Sequence, residues 1–198
     1  MKPLSRAFYT RADVLVVAKE LLGKVLVTEF DGFRTSGIIA ETEAYAGVDD
    51  RASHAHGGRR TARNEPMYAR GGTIYVYLCY GIHHLFNVVT NVAGIPHAVL
   101  VRAILPLEGT AVMAARRNVL RPTTSGPGTL TQALGIRTHH SGGDLLQGPI
   151  TIEDHGLYVP DEVLLIGPRI GVDYAGADAL LPYRFRIAPS HASQLMST

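Results

Sequence analysis

Lys24-Val25-Leu26-Val27-Thr28-Glu29-Phe30, Asp31-Gly32, Phe33-Arg34-Thr35-Ser36-Gly37-Ile38-Ile39-Ala40-Glu41-Thr42-Glu43-Ala44-Tyr45 reads as two β-strands joined by a two-residue turn. Asp-Gly suits such a turn because glycine has no Cβ and aspartate tolerates positive φ. Upstream, Thr10 is the expected N-cap, with Asp13 three residues later in the box position. Val14, Ala18, Leu21 and Leu22 then form a helical stripe that Gly23 ends. Downstream, residues 73–80 alternate, with Ile74, Val76 and Leu78 on one face and tyrosines on the other. Residues 85–90 read as the return strand of a second hairpin, whose tip is Tyr80-Gly81-Ile82-His83-His84. Further strands are expected at 98–105, 163–166 and 183–187, and helices at 109–117 and 126–135. The stretch 46–72 is polar, glycine-rich and aperiodic, which in a compact domain marks a functional or partly helical segment. Strands joined mostly by hairpins predict an α/β chain of the α+β type. It forms one domain over residues 1–198, with a mainly antiparallel sheet surrounded by helices and a protruding β-hairpin.

A chain of 198 residues with 46% hydrophobic content has enough apolar material for a full core. No apolar run reaches 18 residues, so no membrane span is expected. The first residues lack the apolar centre of a signal peptide, and the single cysteine, Cys79, fits a reducing cytoplasm. The formal net charge is only +2, but the cationic side chains are nearly all arginine, with lysine confined to positions 2, 19 and 24. Arginine is the better bidentate partner for phosphate, although a G+C-rich codon bias also enriches it. Arg51, Arg59, Arg60, Arg63 and Arg70 crowd one segment, and Arg116, Arg117 and Arg121 another. Such clusters suit a polyanion or a solvated surface.

The chemistry concentrates in two strands. Alternate side chains share a face, so Glu41, Glu43 and Tyr45 point one way, as do Tyr75, Tyr77 and Cys79. A carboxylate among aromatic rings is equipment for holding a flat ring and attacking a bond to it. Glu43 is the candidate to deprotonate a water or to stabilise an oxocarbenium-like transition state. The plainer alternative is an outward-facing glutamate, or one paired with an arginine such as Arg102. Glu41 and Glu43 project in parallel, not toward opposite sides of a scissile bond, which favours a single working carboxylate. Tyr45, His54 and Tyr77 are candidates to stack on or bond an extruded base, against the ordinary use of tyrosine as a strand former. Tyr80 at a hairpin tip has little core to join and suits a wedge entering a base stack. Glu43 with His54 and His56 matches no strong zinc signature, so no metal is expected. Catalysis through a lysine Schiff base is disfavoured, because all three lysines lie outside both aromatic segments.

Glu41-Thr42-Glu43-Ala44-Tyr45, Ala52-Ser53-His54, Thr61-Ala62-Arg63-Asn64 and Tyr75-Val76-Tyr77-Leu78-Cys79-Tyr80-Gly81 closely resemble the alkyladenine (3-methyladenine) DNA glycosylase family. Asn87-Val88-Val89, Val99-Leu100-Val101-Arg102-Ala103, Gly126-Pro127-Gly128 and Arg169-Ile170-Gly171-Val172 extend the likeness over about residues 11–187. The resemblance implies a single domain with a curved antiparallel sheet and no cofactor. It implies a monofunctional enzyme that flips damaged purines from double-stranded DNA and hydrolyses their N-glycosidic bond, a monomer sufficing. By that likeness Glu43 is the general base and Arg102 helps hold its water, with the main chain near Ile170 close by. Tyr45, His54 and Tyr77 wall the base pocket, Asn87 crowds the guanine amino group, and Tyr80 intercalates. A non-catalytic nucleic-acid-binding module is the competing expectation, and a histidine-based metal hydrolase a more distant one.

Three departures stand out. Leu105 occupies a position where relatives often carry an acid, the segment between Asn87 and Arg102 is two residues longer than in vertebrate relatives, and the long vertebrate N-terminal extension is missing, as in bacterial members. The sequence does not rank 3-methyladenine, 7-methylguanine, hypoxanthine and ethenoadenine as substrates.

Overall fold

The computed structural model describes residues 2–196. In chain order the helices are α1 (Arg6–Tyr9), α2 (Val14–Glu20), α3 (Thr110–Arg117), α4 (Pro127–Leu134) and α5 (Pro189–Leu195). The strands are β1 (Val25–Phe30), β2 (Phe33–Tyr45), β3 (Ile74–Cys79), β4 (His83–Thr90), β5 (His97–Glu108), β6 (Ile150–Glu153), β7 (Leu164–Gly167) and β8 (Arg184–Ile187). They form one curved sheet in the order β3-β4-β5-β2-β1-β6, with β7 and β8 joined to it through β2. Every strand pair is antiparallel.

The first hairpin forms as expected. Asp31 (φ 54°) and Gly32 (φ 78°) both take the left-handed region, and Phe30 pairs with Phe33 across the turn. One expectation is corrected at the N-terminus. Asp13, not Thr10, caps α2: its carboxylate accepts from the N–H groups of Leu15 (2.8 Å) and Val16 (3.2 Å). Thr10 instead closes α1 and donates its hydroxyl back to the Arg6 carbonyl. An aspartate carries charge to the positive helix end, which a threonine does not. The aperiodic stretch 46–72 contains three short 3₁₀ turns, Gly47–Asp49, His56–Gly58 and Glu65–Tyr68.

The two faces of the sheet do different work. Ile74, Val76, Phe86, Val88, Val99 and Val101 face a core completed by Val17 and Leu21 from the α2 region and Leu130 and Leu134 from α4. The opposite face carries a row of directly paired residues across four strands: Glu43 to Leu100, Leu100 to Asn87, Asn87 to Tyr75. Paired residues share a face, so a row fixed by register brings side chains far apart in sequence onto one floor.

The β2–β5 ladder is irregular where it matters. Ile39 pairs with Ile104 and Glu41 with Ala103, leaving Ala40 unpaired; Thr42 then pairs with Val101, leaving Arg102 unpaired. Such bulges bend a strand and re-aim its side chains. A third register shift falls at Ser36/Gly37. β3 lies at the border of the sheet, and its outer side is closed by other groups. Gly143 accepts the Ile74 N–H (2.8 Å), Ser141 Oγ the Val76 N–H (3.1 Å), and Arg63 donates to the Leu78 carbonyl (2.9 Å). Among the described residues no helix is long and apolar enough to cross a membrane.

A Cβ at Gly37 would sit 2.8 Å from the Leu105 carbonyl oxygen and 2.7 Å from Ile104 Cδ1. Backbone there cannot yield without opening the ladder. Gly37→Ala is expected to lower stability by about 1–3 kcal/mol, read as a shift of the urea midpoint at unchanged slope.

Candidate active site

A cavity of about 570 Å³ opens over the sheet face that bears the paired row. Its walls include Tyr45, His54, Tyr77, Asn87 and Arg102, and Tyr80 stands at its mouth. Six of the seven residues singled out in the sequence therefore line one space. The rings pack against one another: His54 and Tyr77 lie 4.6 Å apart, edge to face at 70°, and Tyr75 and Tyr77 5.5 Å apart, tilted by 33°. The Arg63 guanidinium covers Tyr77 at 5.3 Å.

Glu43, the seventh, lies behind the wall rather than in it, with 0% of its surface exposed. Its carboxylate has three donors. Oε1 accepts the Ile170 N–H at 2.8 Å; Oε2 accepts the Tyr45 hydroxyl at 3.0 Å and Arg102 Nη1 at 3.2 Å. The Arg102 contact is a single long bond and not a bidentate fork, since Nε of the same guanidinium goes to Glu41 Oε1 at 3.0 Å. Arg184 Nε bonds that same Glu41 oxygen at 2.6 Å. Glu41 is thus tied to two arginines and does not line the cavity. Burial raises the Glu43 pKa above the usual carboxylate value; Arg102, the Ile170 N–H and the Tyr45 hydroxyl pull it back only in part. Burial and the adjacent Glu43 charge hold the Tyr45 hydroxyl protonated far beyond neutrality, so it remains a donor.

His54 Nδ1 lies 2.8 Å from the Tyr75 hydroxyl. Burial, with Arg63 and Arg59 nearby, lowers its pKa from 6.5 to about 4, so the ring is neutral at physiological pH. Asn87 is buried, and its amide N–H groups go to the Tyr75 and Leu85 carbonyls, both at 3.2 Å, which pins the side chain. Tyr80 is 88% exposed and has φ 50°; with Gly81 at φ 75° it forms the tip of the β3–β4 hairpin. Ile82 beside it is exposed as well.

Other features were not visible beforehand. Arg169 and Asp50 form a buried ion pair against the back of Tyr45. Tyr174 lines the cavity mouth, its hydroxyl donating to the Ala52 carbonyl at 3.1 Å. His56 turns away to the Val48 carbonyl, and among the described residues no group of three or more His, Cys, Asp or Glu gathers where it could hold a metal ion. Of the arginine clusters, Arg60 is paired with Glu65, Arg116 bonds Thr35 and the Ala133 carbonyl, and Arg117 bonds Thr123.

The family model for methylpurine-DNA glycosylase (MPG) matches residues 7–191. The chain belongs to the methylpurine-DNA glycosylase family. It is similar to proteins that carry the name "Putative 3-methyladenine DNA glycosylase" in several bacteria. The one from Chlamydia abortus is 48% identical over 186 residues, covering 92% of this chain and 96% of its own length. That from Chlamydia pneumoniae is 44% identical over 202 residues, 98% of this chain and 100% of its own. That from Clostridium acetobutylicum is 45% identical over 194 residues, 93% of each. The chain is a DNA-repair hydrolase whose substrate is DNA, which sets aside a binding module without catalysis. The Leu105 side chain packs beside Val25, Val27 and Ile38, away from the cavity.

The neutral His54 makes a pH prediction for this glycosylase. Unfolded, its imidazole takes up a proton near pH 6.5; folded, it does so only near pH 4. Its contribution to stability is therefore complete above pH 6.5 and is lost as pH falls toward 4, at up to ~1.4 kcal/mol per pH unit. Melting curves across that window should show a flatter acid slope for His54→Gln than for the parent.

Proposed function

We propose that this protein flips a damaged purine of the 3-methyladenine class out of duplex DNA and seats it between Tyr45, His54 and Tyr77. It then hydrolyses the N-glycosidic bond with a water activated by Glu43. The observation that carries this reading is the fully buried Glu43 carboxylate. It is held by three donors directly behind a ring-walled cavity, beside an exposed aromatic hairpin tip.

Each part has a physical rationale. Tyr80 stands clear of the surface and fills the gap in the stack left by the flipped nucleotide. The aromatic walls hold the purine by stacking, favouring the electron-poor ring of an alkylated, positively charged base. Asn87, pinned by two hydrogen bonds, crowds the position of a guanine 2-amino group and disfavours the normal base. The water enters between Glu43 Oε2 and Arg102 Nη1. Their single 3.2 Å contact is the weakest of the three, and Arg102 stays tethered through Glu41 when it gives way.

The water oxygen bonds to the deoxyribose anomeric carbon as the carbon–nitrogen bond breaks. The bonding pair leaves with the purine, and the water proton passes to Glu43. Burial raises the Glu43 pKa, which makes its carboxylate a stronger base than an exposed one. A base alkylated at N3 or N7 departs neutral and needs no acid; hypoxanthine and ethenoadenine need a proton delivered as they leave. All of these groups come from a single chain, which supports action as a monomer, and the free Cys79 fits a reducing cytoplasm.

Glu43→Gln should slow single-turnover release of 3-methyladenine by about 10²–10⁴-fold while keeping affinity for a duplex holding an abasic-site mimic. Release at the parental rate would remove Glu43 as the base. In the same titration Tyr80→Ala should bind more weakly by about 1–3 kcal/mol; equal affinity would contradict the wedge.

A further inference from the structure

We infer that Arg169, locked by Asp50, is the positioning residue that sets the basicity of Glu43, by fixing both the Tyr45 hydroxyl and the Ile170 N–H on its carboxylate. The inference rests on the reading of Glu43 as the base.

The geometry is as follows. Arg169 has no exposed side-chain surface. Its Nη1 bonds Asp50 Oδ2 and the Ala44 carbonyl (2.9 Å), and its Nη2 bonds Asp50 Oδ1 (2.8 Å) and the Asp178 carbonyl (3.1 Å). One guanidinium therefore joins β2, the loop that follows it and the turn Asp173–Leu180. Its central carbon also lies 4.9 Å from the Tyr45 ring and 5.1 Å from the Tyr183 ring, so Tyr45 rests against a fixed cationic plate. Arg169 and the Ala44 carbonyl that it holds are each adjacent in the chain to a group that touches Glu43. Ala44 lies between Glu43 and Tyr45, and Ile170 follows Arg169 directly.

Asp50 completes the arrangement from the other side. Its carboxylate is buried, accepts both arms of the Arg169 fork, and also accepts the Ala46 and Ala52 N–H groups at 3.0 Å each. The segment from Tyr45 to His54 is thereby anchored to the same guanidinium. A planar bidentate fork suits this task and a lysine ammonium does not, because lysine lacks the flat face that stacks and the paired donors that align.

The groups that face Glu43 define what the pair acts upon. They are Arg102, Glu41, Tyr45, Tyr77, the Ile170 N–H and Arg169 itself. Burial pushes the carboxyl toward its neutral form, and the donors oppose it. Loosening Arg169 lets two of those donors drift. The carboxyl then stays protonated to higher pH, and the acid limb of the rate profile moves up. Neither residue touches the DNA-facing surface in this arrangement, so binding is spared.

The test compares Arg169→Lys and Asp50→Asn with the parent and with Glu43→Gln, using single-turnover release of 3-methyladenine from a defined duplex at a series of pH values. Affinity for a duplex with an abasic-site mimic and thermal melting are measured in parallel. Arg169→Lys and Asp50→Asn are expected to release base about 10²-fold more slowly at neutral pH, to shift the acid limb upward, and to bind the mimic within about threefold of the parent. A folded variant with the parental rate and acid limb overturns the inference. So does loss of folding in both variants, which would assign the pair to the framework instead. If Glu43→Gln releases base normally, the general-base reading fails first. If it is inactive while both other variants behave as the parent, only the positioning role fails.

Discussion

The structure depends on holding one carboxylate, that of Glu43, out of contact with water. Burying an unpaired carboxylate costs several kcal/mol, and each hydrogen bond to a charged group returns about 1.5–3 kcal/mol. Glu43 has three such bonds, and its pKa still rises, so burial outweighs its donors. Much of the surrounding architecture supplies those three donors. The bulge in β5 turns Arg102 onto the carboxylates, the alternation of β2 places Tyr45 two residues along, and the loop after β7 brings the Ile170 N–H from the far end of the chain.

The sheet separates this demand from the need for a stable core. Its inner face is aliphatic and packed by helices, so it can carry a polar, partly open floor on the other side. Register links the two. Because side chains alternate, the residues that pack inward at Ile74, Val76 and Phe86 oblige Tyr75, Tyr77 and Asn87 to face the cavity. A slip of one residue in β3 would empty the floor and bury its rings in the core.

How much of this could be read in the sequence follows from the range of the interactions. The first hairpin was legible because Asp31-Gly32 encodes its turn locally, and Tyr80 because a large ring beside Gly81 at a turn has nowhere to pack. The capping of α2 was misassigned by three residues, since Thr10 and Asp13 are both acceptable caps and the carboxylate's two backbone bonds decide only in three dimensions. Arg102 was legible as a candidate, but its sharing between Glu41 and Glu43 was not, because an irregular ladder sets it. That Tyr45, Arg102 and Ile170 close over Glu43 was not legible either, because the three come from separate parts of the chain. Arg169 and Asp50 lie 119 residues apart, and nothing local marks either as the other's partner.

β3 carries two of the rings that line the cavity, yet it lies at the border of the sheet, where exposed backbone invites a further strand. Gly143, Ser141 and Arg63 already occupy the Ile74 N–H, the Val76 N–H and the Leu78 carbonyl along that border. In a crowded cell, a neighbouring polypeptide in extended form meets an interrupted ladder there. The cost of a rim open to a long polymer substrate is thereby kept separate from the hazard of templated polymerisation.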